Sequence, residues 1–242
     1  MFCVLKLKKI IGLMLTTIGI FLISVAIIKN ITNTSDNIEV FSLGVEPTYT
    51  IVVDAGHGLP DGGATSRNGV EEAGLNLDIA LKLEESLDKL GYNVIMTRST
   101  EQNVADSDKQ TPIRNMKVSD INNRIKLVNE SEADMLISIH MNNFENSKYY
   151  GWQTFYKKNS EISKVIAENI QIGISDNIER ENDRVALPIT SIKLIDKSAI
   201  PAVIVECGFL SNEEDLRLLL TDEYKQQIVD GIIDGIEKCY EI

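Results

Sequence analysis

The segment TIVVDAGHG (residues 50–58) is a short apolar run that ends in a glycine-rich turn carrying a histidine. Two further runs have the same form, because MLISIHMNN (residues 135–143) contains the other histidine and PAVIVE (residues 201–206) ends in Glu206. Short runs rich in valine and isoleucine and bounded by turn residues predict buried strands of a parallel or mixed sheet. Ligands of open α/β sheets bind just beyond the carboxyl ends of the strands. We therefore expect two imidazoles and one carboxylate to meet in a single crevice.

The chain has two histidines, His57 and His140, and both stand at predicted strand ends. Imidazole is a common ligand of transition metals, and a catalytic zinc ion usually takes three protein ligands. Glu72 can supply the third, because the glycines of DAGHGLPDGGA (residues 54–64) allow the chain to fold back toward the first strand. On spacing alone, a solvated acid at a helix start is the better interpretation of Glu72, and Glu71 would fit the site as well. The residues themselves therefore predict a zinc site whose third ligand is open.

Composition excludes several classes of protein. With 242 residues the chain can bury one substantial core, and its net charge of -12 argues against binding to nucleic acid. The phosphate-binding loop, the dinucleotide-binding motif and the H-E-x-x-H zinc motif are all absent from the sequence. The three scattered cysteines form no disulfide framework. Cys207 lies beside Glu206, and we interpret it as a small buried hydrophobic residue rather than a thiol nucleophile.

The N-terminal part of the chain differs from the rest. Residues 10–28 form an uncharged apolar run that is long enough to span a bilayer as a helix. Three lysines precede this run, which favours a cytoplasmic N-terminus and an exported remainder. We expect residues 1–28 to be an uncleaved membrane anchor rather than a cleaved signal, residues 29–48 to be a polar linker, and residues 49–242 to be one extracytoplasmic catalytic domain.

Strand and helix patterns alternate from residue 49, which predicts an α/β domain with a mainly parallel twisted sheet flanked by helices. The polar stretch 99–118 is long for a loop, and Ser119 is suited to cap a helix that continues to about residue 130. The expected strands are 50–55, 92–97, 135–140, 152–156, 192–195 and 202–206. The other expected helices are 75–90, 160–178 and two in the C-terminal segment.

Five segments stand in a characteristic order and spacing. They are IVVDAGHG (51–58) with DGGA (61–64), GVEEAGLNL (69–77), Thr97-Arg98, ADMLISIHMN (133–142) and PAVIVECGFLSN (201–212). In this order and spacing they resemble the zinc-dependent N-acetylmuramoyl-L-alanine amidases. That family has a zinc-peptidase-like α/β catalytic domain, and the resemblance covers about residues 49–240. Five matched segments in order are far more specific than any one of them.

The resemblance implies one zinc ion per chain, bound by His57, Glu72 and His140. Family spacing favours Glu72 over Glu71, because the ligand stands five residues before Leu77. The same resemblance makes Glu206 the catalytic acid/base and places Asn142 and Arg124 among the substrate-binding residues. For those last two, local turn and helix-surface hydrogen bonding is an equally good interpretation.

The implied reaction is hydrolysis of the amide between N-acetylmuramic acid and L-alanine in peptidoglycan. A short anchored catalytic domain is similar to the subgroup that prepares spore-cortex peptidoglycan for muramic-lactam formation, and so for germination. The expected partners are peptidoglycan and, through residues 10–28, a membrane; an accessory protein is conceivable, but no motif identifies one. Two alternatives remain open: a zinc exopeptidase, and a non-catalytic wall-binding protein on the same fold.

Overall fold

The computed structural model describes residues 49–106 and 112–240. The predicted anchor and linker, residues 1–28 and 29–48, lie outside these residues. Among the helices that are described, none is both long and apolar enough to cross a membrane.

One six-stranded sheet forms the centre of the domain. The strands are β1 (Thr50–Ala55), β2 (Asn93–Met96), β3 (Met135–Asn142), β4 (Gln153–Lys157), β5 (Leu187–Ile189) and β6 (Ala202–Phe209), and their order in the sheet is β2-β1-β3-β6-β4-β5. Strand β1 pairs in parallel with β2 and β3, and β3 pairs in parallel with β6. Strand β4 runs antiparallel to β6 and parallel to β5. The expectation of a single α/β domain is confirmed, and the sheet is mixed because of the β4–β6 pair.

Helices cover both faces of this sheet. Alternate residues of a strand point to opposite faces, so Ile51 and Val53 belong to one apolar cluster and Val52 to another. The helices are α1 (Glu72–Lys89), α2 (Ile113–Glu130), α3 (Glu161–Asn177), α4 (Lys193–Lys197), α5 (Glu213–Leu219) and α6 (Asp222–Tyr240). The first cluster contains residues of α1, α3, α5 and α6, and the second contains Val128 of α2 and Leu194 of α4.

Two boundaries predicted from sequence were wrong. Helix α2 begins at Ile113, behind Pro112, rather than at Ser119, which lies inside the helix with its Oγ accepting a hydrogen bond from the backbone N–H of Asp106. The segment 192–195, expected to be a strand, lies at the start of the helix Lys193–Lys197, and the short strand lies earlier, at Leu187–Ile189. Both segments are short or polar, and in such segments hydrophobic periodicity cannot separate helix, strand and loop.

The sheet brings three strand ends together at one edge. Strands β1, β3 and β6 are neighbours and run in the same direction, so their carboxyl ends lie side by side. His140 of β3 and Glu206 of β6 are partners in the strand register. The crevice expected from the three apolar runs therefore has a structural basis.

Candidate metal centre

His57, Glu72 and His140 come together at this edge of the sheet. Each offers one ligand atom, and these atoms all lie within 4.8 Å of one another. Nε2 of His57 is 3.3 Å from Oε2 of Glu72, and Nδ1 of His140 is 2.9 Å from Oε1 of the same carboxylate. Two imidazoles and one carboxylate are also the protein ligands of one group of catalytic zinc sites. The three residues therefore fit a zinc ion in donor type and in spacing.

Two glycines make this close approach feasible. A Cβ atom on Gly56 would lie 2.3 Å from Cε1 of His140, and one on Gly63 would lie 2.7 Å from Oε2 of Glu72. Gly63 also has a φ of 70°, in the left-handed region that suits glycine. His57 itself has a φ of 61°, so the chain turns sharply at the ligand. The glycine-rich loop is therefore shaped around the metal centre.

Glu72 is held firmly at the first turn of α1. Its Oε2 accepts a hydrogen bond from the N–H of Ala64 at 2.9 Å, and its Oε1 accepts bonds from Nδ2 of Asn76 and the N–H of Met141, both at 3.2 Å. Burial would raise the pKa of Glu72, but the hydrogen bond with His140 and the neighbouring His57 hold it well below its usual range. The carboxylate is therefore anionic and fixed, as a metal ligand must be. Glu71, by contrast, is exposed.

A second carboxylate orients His57. Nδ1 of His57 lies 3.2 Å from Oδ2 of Asp61, and Oδ1 of Asp61 lies 2.7 Å from Nζ of Lys117 on α2. Burial would lower the pKa of His57, but Asp61 and Glu72 raise it to about 9. Carboxylates on the second nitrogen of a metal-binding imidazole fix its tautomer and ring orientation. Sequence reasoning missed Asp61, although its place in the same loop, four residues after His57, was a usable signal.

Arg124, expected among the substrate-binding residues, lies beneath the centre. Its side chain is 1% exposed. Its Nη1 donates to Oδ1 of Asp54 at 2.6 Å and to the carbonyl of Ala55 at 2.7 Å, its Nε donates to Asp120 at 3.0 Å, and its Nη2 donates to the carbonyl of His57. The guanidinium is fully used in holding the end of β1. Arg124 therefore fixes the backbone that carries one of the predicted ligands.

Arg98 acts on the same segment from the other side. Its Nε donates to the carbonyl of Ala55 at 2.8 Å, and its Nη2 donates to the carbonyls of Gly56 at 2.9 Å and Ala73 at 2.8 Å. This side chain therefore connects the loop after β1 to the start of α1. We call Arg98 and Arg124 the arginine clamp. The clamp fixes the two segments that carry His57 and Glu72.

Asp54 is the buried acid that forms an ion pair with Arg124 of the clamp. It accepts hydrogen bonds from Thr97 and Ser138 as well as from Arg124, and it is 1% exposed. Burial would raise the pKa of Asp54, but Arg124 and Ser138 overcome that effect and lower it to about 2. The carboxylate is therefore charged and fully partnered at neutral pH.

Glu206 is in a different electrostatic state. Its Oε2 atom is buried and has no hydrogen-bond partner among the described residues. Burial raises the pKa of Glu206 to about 7, although the imidazole of His140 acts in the opposite direction. A buried carboxyl group that can gain or lose a proton near neutral pH has the property required of a general acid or base.

Two further predicted residues have simpler surroundings. Asn142 is half-buried at the end of β3, where its Oδ1 accepts a hydrogen bond from the N–H of Asn143 at 3.1 Å. Cys207 is fully buried, and burial raises the pKa of its thiol well above the ordinary value. The interpretation of Cys207 as a packed hydrophobic residue is confirmed.

Known proteins resemble this domain in sequence and in structure. The sequence profile of the N-acetylmuramoyl-L-alanine amidase family matches residues 51–238. A germination-specific N-acetylmuramoyl-L-alanine amidase of Bacillus subtilis is 34% identical over 190 residues, covering 78% of this chain and 79% of the relative. A sporulation-specific amidase of the same organism is 27% identical over 201 residues, covering 79% and 68%.

A solved structure gives the same result. The CwlD amidase of Clostridioides difficile, whose structure was solved in complex with the GerS lipoprotein, matches with a TM-score of 0.78 at 38% identity, covering 80% of this chain and 98% of that one. The resemblance seen in the five sequence segments is thereby confirmed over the whole described domain. The chain belongs to the N-acetylmuramoyl-L-alanine amidase family.

Proposed function

We propose that the chain is a zinc-dependent hydrolase that cuts the amide between N-acetylmuramic acid and the L-alanine of the stem peptide. The observation that carries this proposal is the position of Glu206 beside the candidate ligands. Its strand-register partner is His140, and its buried Oε2 has no partner among the described residues. A carboxyl group left unpaired next to three convergent metal-binding side chains is suited to move a proton during amide hydrolysis.

In the proposed mechanism the protein supplies a fixed site and a mobile proton. His57, Glu72 and His140 would hold the zinc ion, which when bound polarises the substrate carbonyl and lowers the pKa of water from about 15.7 toward ~7. Glu206 accepts the proton of the attacking water at its carboxylate. It then donates this proton to the nitrogen of L-alanine as the amide bond breaks. The pKa of Glu206, near 7, allows the same group to perform both steps.

The test compares substrates for the zinc-loaded full-length chain. Purified peptidoglycan and free peptides are incubated with the protein, and the products are identified by mass spectrometry. We expect intact glycan strands with free lactyl carboxyl groups, together with stem peptides that begin with L-alanine. The variant Glu71→Ala should cleave like the wild type, because Glu71 is exposed beside the ligand Glu72.

Two results would support the alternatives. Cleavage confined to free peptides would identify an exopeptidase. Stoichiometric zinc without cleavage of any peptidoglycan would point to a wall-binding protein on the same fold.

We propose in addition that the enzyme acts on spore-cortex peptidoglycan. Its similarity to a germination-specific amidase of B. subtilis and to the CwlD amidase of C. difficile supports this role. The expected result of deleting the gene from the parent organism is a cortex without muramic lactam and spores that fail to complete germination. Normal muramic-lactam content in the deletion strain would contradict the cortex role while leaving the amidase activity intact.

The proposal also includes a membrane anchor and an accessory protein. Residues 10–28 carry the anchor prediction, because they are uncharged and follow three lysines. The complex of C. difficile CwlD with the GerS lipoprotein supports a partner of similar kind. Membrane fractionation of the full-length chain against a chain starting at residue 30 tests the anchor. Co-purification from sporulating cells under native conditions tests for the partner.

A further inference from the structure

Two clefts on the surface of the domain share two of their lining residues. The first, of about 450 Å³, is lined by Thr65, Ser66 and Asn143 among others. The second has a volume of about 350 Å³, and Arg67 and Ser211 belong to both. We call these two clefts together the Arg67 groove. Their shared residues make them neighbouring parts of one surface depression.

The first cleft lies at the same edge of the sheet as the candidate ligands. Thr65 of its lining directly follows Ala64, whose N–H donates to Oε2 of Glu72 at 2.9 Å. Asn143 directly follows β3, the strand that carries His140, and Ser211 stands two residues after the end of β6, the strand that carries Glu206. A substrate whose scissile amide lies at the metal centre can therefore extend into the Arg67 groove.

Arg67 stands on a tight turn between the clefts. The turn is closed by hydrogen bonds from the N–H of Ser66 to the carbonyl of Val70 at 2.9 Å and from the N–H of Val70 to Oγ of Ser66 at 3.0 Å. Its backbone is thus fixed while its side chain is exposed. A side chain on a fixed support can act as a selective contact, because little ordering is needed on binding.

The charge of Arg67 is unused within the described part of the chain. No ion pair or hydrogen bond of its guanidinium occurs there, and Glu145 and Glu213, which line the two clefts, form no ion pair with it. Three other arginines of the domain have ion-pair partners, since Arg124 pairs with Asp54, Arg180 with Asp215, and Arg217 with Glu214. Arg114, which is exposed on α2, has none among the described residues, and it lines neither cleft. In a chain of net charge -12, a free guanidinium beside the active site favours an anionic ligand.

We propose that Arg67 binds the free carboxylate of the second residue of the stem peptide. This inference rests on the proposed amidase function, because it places the L-alanine end of the peptide at the metal centre. The residue after L-alanine in peptidoglycan is D-glutamic acid, joined onward through its side chain, so its α-carboxylate is free unless it is amidated. An extended peptide advances roughly 3.5 Å per residue, so this carboxylate lies about 7 Å beyond the scissile bond. Arg67 belongs to the lining of the cleft that contains Thr65, the residue after Ala64, whose N–H contacts Glu72.

The two forms of the second residue provide the test. Full-length zinc-loaded protein is given muramyl peptides that carry either D-isoglutamic acid or its amide, and kcat and KM are measured for each. Hydrogen bonds to a charged group contribute about 1.5–3 kcal/mol, which corresponds to about 10- to 150-fold in binding. We expect the wild type to prefer the acid by that factor, mainly through KM. Arg67→Ala should remove the preference with kcat nearly unchanged, and Arg67→Glu should reverse it.

Lys158→Ala is the matched control, since it also removes one positive charge. Lys158 is exposed and follows β4, at the end of the sheet opposite to Glu206. The Lys158→Ala protein should prefer the acid as strongly as the wild type does. The same comparison by calorimetry in a Glu206→Gln background, where turnover is suppressed, reports binding without catalysis.

The outcomes separate the two proposals. If the wild type cleaves both substrates and Arg67→Ala changes the KM values for the acid and the amide equally or not at all, the assignment of Arg67 is overturned and the amidase function stands. If the wild type cleaves neither substrate and the Glu206→Gln protein binds neither, the proposed function is overturned together with this inference.

Discussion

Charged groups beneath the metal centre and at its mouth are partnered in opposite ways. Below the centre, Asp54 accepts hydrogen bonds from Thr97, Ser138 and Arg124, and the arginine clamp donates to the backbone carbonyls around the first predicted ligand. At the mouth, Oε2 of Glu206 is buried without a partner, and the guanidinium of Arg67 is free among the described residues.

The difference separates two uses of charge. A fully hydrogen-bonded charge in the protein interior fixes the groups around it, and its removal leaves a buried charge uncompensated. A carboxyl group without a partner keeps a titratable proton, and a free cation keeps its capacity for an anion. We call Asp54 and the arginine clamp the floor, and Glu206 and Arg67 the mouth. Under the proposals made above, the floor holds the geometry of the site, and the mouth supplies the groups that react with or select the substrate. The predictions below test this division, from the largest expected effect to the smallest.

The first prediction concerns the boundary between floor and mouth, where Glu72 contacts both histidines. Glu72→Ala should weaken zinc binding by more than about 100-fold, because even residues that only support metal ligands contribute 10- to 100-fold. Glu71→Ala should bind zinc like the wild type. Zinc titration of the purified chains measures both affinities, and the opposite ranking of the two variants would move the ligand by one residue.

The second prediction tests the floor itself. Arg124→Met should lower the free energy of unfolding by about 3–5 kcal/mol, because Asp54 and Asp120 would lose their buried partner. Arg217→Ala removes an exposed ion pair with Glu214 and should cost less than about 1 kcal/mol. Urea denaturation of the zinc-free proteins gives both values. Equal effects of the two substitutions would contradict the structural role of the clamp.

The third prediction uses acid to weaken the same floor. The pKa of Asp54 is lowered from 3.8 to about 2, so its contribution to stability is complete above about pH 4 and is lost as the pH falls through about 2. This shift corresponds to about 2 kcal/mol. The stability difference between the wild type and Asp54→Asn should therefore shrink by about that amount between pH 5 and pH 2. A difference that stays constant over this range would show that Asp54 does not titrate as described.

The fourth prediction concerns the support of His57. Asp61→Ala should weaken zinc binding by about 10- to 100-fold, because the Nδ1 partner that orients the ring is removed. Lys117→Ala should have a smaller effect, since Lys117 is half-exposed and touches only Asp61 within this arrangement. Competition with a chromogenic chelator measures both affinities. A larger loss in Lys117→Ala than in Asp61→Ala would be inconsistent with this order of contacts.

The central elements of the fold could be predicted from the sequence because they are governed by local pattern. The apolar runs around His57, His140 and Glu206 are bounded by turn residues, and parallel strands place their carboxyl ends at one edge. That rule was sufficient to expect the crevice. The choice of Glu72 over Glu71 needed family spacing, because both residues suit a helix start.

The rest depended on contacts that sequence patterns do not encode. Arg124 lies on a helix whose sequence is polar, and its burial follows from the charge of Asp54, seventy residues away along the chain. Asp61 and Asn76 were missed because each supports a ligand and is not itself one. Whether Arg67 or Glu206 has a partner is likewise a property of the folded chain.

Glu206→Gln tests the central claim most directly, because it keeps the size of the side chain and removes its titratable proton. Zinc content, melting temperature and release of L-alanine-terminated stem peptides should be measured on the same preparation. We predict unchanged zinc, a folded protein and a fall in cleavage by about 10²- to 10⁴-fold. Loss of zinc together with activity would make Glu206 a ligand instead. Near wild-type cleavage by the folded, zinc-loaded variant would contradict the account.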